Sequence, residues 1–338
     1  MVRVGILGAS GFTGAELLRL CALHPSFEVV YATGDSQAGV RAASLYPSLA
    51  AKYPDLVFDA FDPAKAEGLD LVFLGLPHEA SMAMAPQLVG MVGCVVDLSA
   101  AYRLKDATLY PQWYGFTHDQ PLLLQQAVYG LPELHRDELK GAALIATPGC
   151  HVTAAALALA PLVRSGVVAP TGVVVNSITG VSGAGRALKH TSQFCTVDED
   201  VTAYGLLDHR HTPEIEQEVG AQVLFTPHLA PMSRGILSTC YARPLGDVTT
   251  ASLLSTLAEF YTGEPFVVVG EASPSTKATL GSNTAHLTAR FDERTGTVIS
   301  ICAIDNLAKG ASGGAVQAAN VALGLAETAG LAQIGLFP

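Results

Sequence analysis

The first 23 residues constrain this chain more than any other stretch. Val2–Leu7 is apolar and strand-like, Gly8-Ala9-Ser10-Gly11-Phe12-Thr13-Gly14 follows, and residues 15–23 have helical spacing. A glycine turn between a strand and a helix lets a pyrophosphate approach backbone N–H groups at the helix N-terminus. The spacing is GxxGxxG, not the commoner GxGxxG, and in isolation it describes no more than a tight turn. Its position, between the first strand and the first helix, favours a dinucleotide. Further strand-like runs at 28–33, 69–74, 94–98 and 142–146 alternate with helical stretches. That alternation predicts a parallel sheet with right-handed crossovers, a Rossmann-type domain.

Ligands of such sheets bind beyond the carboxyl ends of the strands. The loop after the second strand carries conflicting signals. Asp35 there favours NAD, whereas the neighbouring Ser36 and Arg41 suit NADP. His78, Ser99 and Arg103 fall at later strand ends. Each has a plain structural reading, as a helix cap, a turn residue and a surface charge; only for Arg103 is function given equal weight.

The second constraint is Ala146-Thr147-Pro148-Gly149-Cys150-His151-Val152-Thr153. A strand precedes it and an Ala/Leu-rich helical run over 153–163 follows. Pro148 and Gly149 force a sharp turn, so Cys150 sits at or just before a helix start. Unpaired N–H groups and the helix dipole favour a thiolate there, as an attacking cysteine requires. The plain alternative is a buried structural thiol.

After Cys150 the pattern changes. Strands are expected at 172–178, 222–226, 235–242, 266–269, 285–291 and 297–304, interrupted by helices at 213–219 and 250–261. Residues 150–305 therefore read as a second domain of α+β type with a mixed or antiparallel sheet. The segment 306–338 is grouped with the first domain, residues 1–149; after the 305–311 stretch it reads as a long apolar helix through Leu325 that packs back on that domain. Within the second domain lies a second glycine-rich loop, Gly180 to Arg186. In His209-Arg210-His211-Thr212-Pro213-Glu214-Ile215, Thr212 is a good N-cap and Pro213 a good first helical residue. Both histidines then lie at a helix entrance, where either can act as a general acid/base. Competing readings are a metal site with Cys195 or His190, and surface histidines.

At 338 residues the chain exceeds one typical core. A net charge of -11 argues against nucleic acid or an anionic membrane surface as partner, but not against a small anion in a local basic pocket. The six scattered cysteines contain no CxxC pair and suggest a reducing cytoplasm. No apolar run reaches the roughly 18 residues of a transmembrane helix, and the N-terminus reads as a strand, not a signal peptide.

Taken together, GASGFTGAEL (8–17), GLPH (75–78), DLSAAYRL (97–104), YGLPE (129–133), ATPGC (146–150), SGAGR (182–186), HRHTPEI (209–215), FTPHLAPMSRGI (225–236) and DNLAKGASGGAVQ (305–317) span nearly the whole chain in order. Their combination resembles the N-acetyl-γ-glutamyl-phosphate reductases of the aspartate-semialdehyde dehydrogenase superfamily. The resemblance implies NADPH-dependent reduction of an acyl phosphate to an aldehyde in arginine synthesis, by a homodimer or homotetramer with no metal. It implies Cys150 as nucleophile and His211 or His209 as acid/base, with Glu214 orienting a ring. It implies Gly8, Ser10, Gly11, Phe12, Thr13, Gly14 and Ser36 as cofactor residues, with Ser182, Gly183, Gly185 and Asn306 near the nicotinamide. Arg103, Arg186 and Arg234 would bind substrate anions. Three positions depart from the family pattern: His151-Val152 stand where an aromatic residue, often followed by proline, is usual; Ala101-Tyr102-Arg103 replace Asp-Phe-Arg; and Asp35 stands where a basic residue is common. Two other functions fit less well. One is a reductase of a carrier-protein-linked glutamyl or aminoadipyl phosphate; the other is a non-catalytic redox sensor.

Overall fold

The computed structural model describes residues 1–338 as two compact units. One comprises Met1–Pro148 with Ala311–Leu331, the other Gly149–Gly310 with Ala332–Pro338.

In the first unit, β1 (Val2–Leu7), α1 (Phe12–Leu23), β2 (Phe27–Ala32), β3 (Leu71–Leu74), α2 (His78–Leu88), β4 (Cys94–Asp97), β5 (Val128–Tyr129), α3 (Pro132–Leu139) and β6 (Leu144–Ala146) build a six-stranded sheet in the order β2-β1-β3-β4-β6-β5. Every pairing is parallel, and the chain reverses direction across the sheet between β1 and β3. The turns that follow β1 and β3, at Gly8 and Gly75, meet at that reversal. Gly75 N–H donates to Leu7 O, and a Cβ on Gly8 would fall 2.4 Å from Gly75 O. Gly8 has φ +86°, a conformation that favours glycine. β3 and β4 are wholly buried, as strands covered on both faces are. The YGLPE stretch at 129–133 leads from the two-residue edge strand β5 into α3. Gly130 N–H donates to Ala146 O, which extends the pairing onto β6.

The second unit holds α4 (Cys150–Arg164), β7 (Val173–Gly180), β8 (Thr202–Ala203), α5 (Thr212–Val219), β9 (Val223–Ala230), β10 (Ile236–Ala242), α6 (Thr250–Phe260), β11 (Val267–Val269), β12 (Ala285–Asp292) and β13 (Thr297–Ile304). Its seven-stranded sheet runs β11-β12-β13-β10-β7-β9-β8 and is mixed: β7–β9 and β11–β12 are parallel, the rest antiparallel. α4 packs on β10 and β13 and is buried from His151 to Leu162, so its apolar residues need no amphipathic stripe. Ser300 donates its hydroxyl to Ala158 O and Tyr261 to Leu157 O, pinning the helix to its neighbours. One-turn helices at Phe194–Val197 and Thr276–Thr279, and the short β8, were not legible in the sequence. Segments this short carry no periodicity.

The C-terminal helix is shorter than its sequence suggests. Asp305 accepts the N–H groups of Leu307 and Ala308, a π-helical turn spans Ala308–Ser312, and α7 then covers only Gly313–Ala322. Gly324, at φ +67°, ends it before Leu325. Within the first unit α7 packs on α1, α3 and β4. Asn320 Oδ1 lies 3.0 Å from His24 Nε2, and Ser312 donates to Thr13 O. The last seven residues, grouped from the sequence with the first domain, pair with the second unit instead. Asn283 N–H donates to Ala332 O and Leu336 N–H to Leu280 O.

Candidate active site

Cys150 is the first residue of α4, with Gly149 as its N-cap. No side chain caps this helix, so its first amides face whatever lies before the thiol. The placement is fixed from three sides. Gly149 N–H donates to Glu214 Oε1 at 2.8 Å, and Glu214 is completely buried near the start of α5. The His211 imidazole lies against the Gly149 backbone, since a Cβ there would fall 2.5 Å from His211 Nε2. Gly310 closes the third side: a Cβ on it would fall 2.9 Å from Cys150 Cβ. Cys150 is half-buried, whereas Cys21, Cys94, Cys240 and Cys302 are buried. Burial pushes the thiols of Cys21 and Cys94 up to about 12, so they stay protonated and inert.

The two histidines expected at a helix entrance are there, but the cap is displaced by one residue: α5 begins at Thr212 itself, with His211 and not Thr212 in the N-cap position, no side chain capping the helix, and Pro213 in its first turn. They are not surface residues. His209 Nδ1 accepts the His211 backbone N–H, and the two rings meet edge-on, centroids 4.7 Å apart. A third histidine, His151, joins them at 5.8 Å from His209 and 5.7 Å from His211, and Phe225 closes the cluster. Burial, helped by the Arg210 charge, pulls His209 down to about 4; burial pulls His151 down to about 3. Both are therefore neutral at physiological pH. The three rings pack edge-on, and His209 Nδ1 is committed to the His211 backbone N–H.

Cys150, His151, His209 and His211 line one cavity of about 460 Å³, within the range of small-ligand sites. Tyr204 lines it too, and its cations are Lys189 and Arg210. Arg186, expected at the substrate, is exposed on the loop beyond the lining residues. Arg234 Nε pairs instead with the buried Asp305, 3.0 Å away. In the first unit, Arg103 is buried, its Nε donating to Thr147 O and its Nη2 to Leu98 O. It braces the ends of β4 and β6. Tyr204 and Lys189 sit on irregular stretches with no motif of their own, and Arg210, though inside the 209–215 stretch, is not singled out there because the two flanking histidines carry its chemistry.

Each loop of the expected cofactor set has a definite structure. Around α1, a Cβ on Gly14 would strike Ala9 Cα at 2.4 Å, so only glycine allows this turn. Gly11 is the N-cap of α1, and no side chain caps it. Phe12 and Thr13 open the helix, and Ser10 donates its hydroxyl to Gly34 O, tying the turn to the end of β2. This bare helix N-terminus is a cradle suited to a pyrophosphate. Ser36 and Asp35 are exposed on a 3-10 turn after β2, with Asp35 at φ +48°. In the second unit, Asn306 accepts the Gly235 N–H and donates to Ser182 Oγ. It thereby holds the turn carrying Ser182, Gly183 and Gly185.

Family models match both units. The NAD-binding domain of semialdehyde dehydrogenases matches residues 3–142, and their dimerisation domain matches 150–306. The fold is that of aspartate semialdehyde dehydrogenase II from Vibrio cholerae, with a TM-score of 0.70 and 15% identity over 95% of this chain and 98% of that one. The Candida albicans aspartate semialdehyde dehydrogenase solved with NADP has a TM-score of 0.69 at 15% identity, covering 95% of this chain and 98% of that one. Two curated proteins named N-acetyl-gamma-glutamyl-phosphate reductase are far more similar. That of Symbiobacterium thermophilum is 47% identical, covering 99% of this chain and 98% of its own. That of Geobacter sulfurreducens is 47% identical over the whole of both chains. With identity of this level sustained from end to end, the chain belongs to the N-acetyl-γ-glutamyl-phosphate reductase family of semialdehyde dehydrogenases.

Proposed function

We propose that the protein reduces N-acetyl-γ-glutamyl phosphate to N-acetylglutamate semialdehyde with NADPH, releasing phosphate, as a cytoplasmic step of arginine biosynthesis. The observation that carries this reading is Cys150 on the first turn of α4, sharing a cavity with His211, Lys189 and Arg210. Lys189 and Arg210 supply positive charge for an anionic substrate on an otherwise acidic protein.

The Cys150 sulfur attacks the acyl carbon, the carbon–oxygen bond to phosphate breaks, and a thioester forms as inorganic phosphate leaves. The α4 amides stabilise the oxyanion of that step. The Gly8, Gly11 and Gly14 turn would hold the pyrophosphate of a nicotinamide cofactor, which would supply the hydride needed to reduce a thioester. His211 gives a proton to the resulting thiohemiacetal oxygen. It takes that proton back as the carbon–sulfur bond breaks, freeing the aldehyde and the Cys150 thiolate. Glu214 holds Gly149, and so the turn that aims the thiol.

The test is the reverse reaction. N-acetylglutamate semialdehyde, NADP and phosphate should give NADPH, followed by its absorbance. Failure of the free semialdehyde, alongside turnover of a carrier-linked one, would reassign the substrate. No turnover with either would leave only a binding protein. The match to a dimerisation domain supports assembly as a homodimer or homotetramer, and no helix is long and apolar enough to cross a membrane.

NADPH is expected to give a higher kcat/KM than NADH, and a ratio below one would reverse that assignment. Asp35 opposes it, because a carboxylate repels a 2′-phosphate and accepts from free ribose hydroxyls. Asp35→Ala should therefore raise kcat/KM for NADPH; an unchanged value would place the carboxylate away from the ribose.

Gly149→Ala should lower kcat by tenfold or more, up to about 10²-fold, because the new methyl needs the space of the His211 ring. Alkylation of Cys150 should survive the change. Unaltered kcat would mean that the ring can move without consequence.

A further inference from the structure

His151 immediately follows the nucleophile, is 2% exposed, and uses both ring nitrogens. Nδ1 lies 2.7 Å from Ser177 Oγ, which lies 2.7 Å from Ser238 Oγ. Nε2 lies 3.0 Å from the Tyr204 hydroxyl. Ser177 on β7 and Ser238 on β10 are directly paired across the sheet, and both are completely buried. A single chain of polar groups thus runs from the sheet interior, through His151, to Tyr204 in the cavity wall.

We propose that His151 is a positioning residue that holds the Tyr204 hydroxyl as a hydrogen-bond donor to an oxygen of the substrate bound in the Cys150 cavity. The inference rests on the assignment of that cavity to the semialdehyde.

The chain has two possible polarities. In one, Tyr204 donates to Nε2 and Nδ1–H donates to Ser177, leaving the phenol oxygen to face the cavity as an acceptor. In the other, Ser238 donates to Ser177, Ser177 to Nδ1, and Nε2–H to the phenol oxygen. The Tyr204 proton then points away from His151, toward the cavity. Both need a neutral ring carrying one proton, and burial of His151 imposes that state. The substrate decides between them. Its carboxylate, acetyl and acyl oxygens accept hydrogen bonds, and a bound acceptor selects the polarity in which Tyr204 donates. A buried serine pair anchors the far end, so the ring stays in place when the substrate leaves. Tyr204, though 36% exposed, keeps its proton, because desolvation at the cavity wall and the neighbouring Cys150 charge raise its ionisation above the usual phenol range. His151 itself need not touch substrate. It acts through Tyr204.

The experiment is a double-variant cycle on kcat and KM in the reverse reaction, using His151→Phe, Tyr204→Phe and the two combined. A donor hydrogen bond to a charged oxygen is worth roughly tenfold or more in binding. Each single variant should raise KM for the semialdehyde by about that factor while kcat changes less. The combined variant should be no worse than the weaker single, because both remove the same hydrogen bond. His151→Gln keeps an N–H near the Nε2 position and should recover much of the KM lost in His151→Phe. A structural role alone would lower the thermal midpoint without this split or this rescue. Multiplying effects in the combined variant, or an unchanged KM in either single, would overturn the inference while leaving wild-type turnover intact. Absence of wild-type turnover would instead remove the substrate assignment, and the inference with it.

Discussion

Cys150→Ser is expected to abolish turnover while leaving cofactor binding within a few-fold. The substitution changes one atom at the start of α4, where Gly149, held by Glu214, sets the direction of the side chain. Serine fits that space and keeps the helix start. Its hydroxyl, however, is a far weaker nucleophile than a thiolate at neutral pH, and the helix dipole cannot close the gap. No other thiol can substitute: of the remaining five, four are buried in the two cores, and the exposed Cys195 is not among the cavity-lining residues. The loss should appear in kcat, measured as NADPH formation, with cofactor affinity followed by fluorescence titration. Retention of more than about a tenth of the activity would exclude a covalent thioester.

His211→Asn should lower kcat by roughly 10²–10⁴-fold, the usual worth of a positioned acid–base group. His209→Asn should lower it less. Geometry separates the two residues. The His211 ring rests on the Gly149 backbone, one residue from the nucleophile, whereas His209 sits among the Tyr204, His151 and Phe225 rings. Chemistry separates them as well. Burial keeps His209, at about 4, unprotonated throughout the neutral range, so it has no ready proton to give. Its Nδ1 accepts the His211 N–H, a role that asparagine can partly replace. The kcat–pH profile of His209→Asn should therefore keep its wild-type shape, and that of His211→Asn should lose a limb. A larger kcat loss for His209→Asn would reverse the assignment. A loss under tenfold in both would place the proton donor elsewhere. Alkylation of Cys150 in each variant controls for damage to the nucleophile.

Much of this protein was legible from local rules. The β1 turn declared itself because Gly8 and Gly14 do what no other residue allows. A Cβ on Gly8 or Gly14 would strike backbone, and that penalty is written in the sequence whatever the rest of the chain does. The Cys150 turn was legible for a similar reason: proline and glycine end a strand, and alanine and leucine begin a helix. Thr212 and Pro213 marked α5, and with it the histidines before it. Strand positions in both units came from apolar runs, with boundaries shifting by a residue or more.

Tertiary structure decided whatever depends on partners distant in the chain. The resemblance named Arg103, Arg186 and Arg234 as candidate anion binders. Folding commits Arg103 to two backbone carbonyls and Arg234 to Asp305, leaves Arg186 outside the cavity lining, and gives the cavity Lys189 and Arg210. Glu214 was read as orienting a histidine; only folding shows that it also takes the N–H of Gly149, 65 residues away. His151 was only a departure from a family pattern. Its partners Ser177 and Tyr204 lie 26 and 53 residues further on, and Ser238, which partners Ser177, lies 87 residues on, separations no local rule spans. A sequence states which residues can bend, cap or alternate, because those properties belong to single residues and near neighbours. Which hydroxyl meets which imidazole is set by sheet register and helix packing. Those energies are summed over the whole fold, and only the folded chain expresses them.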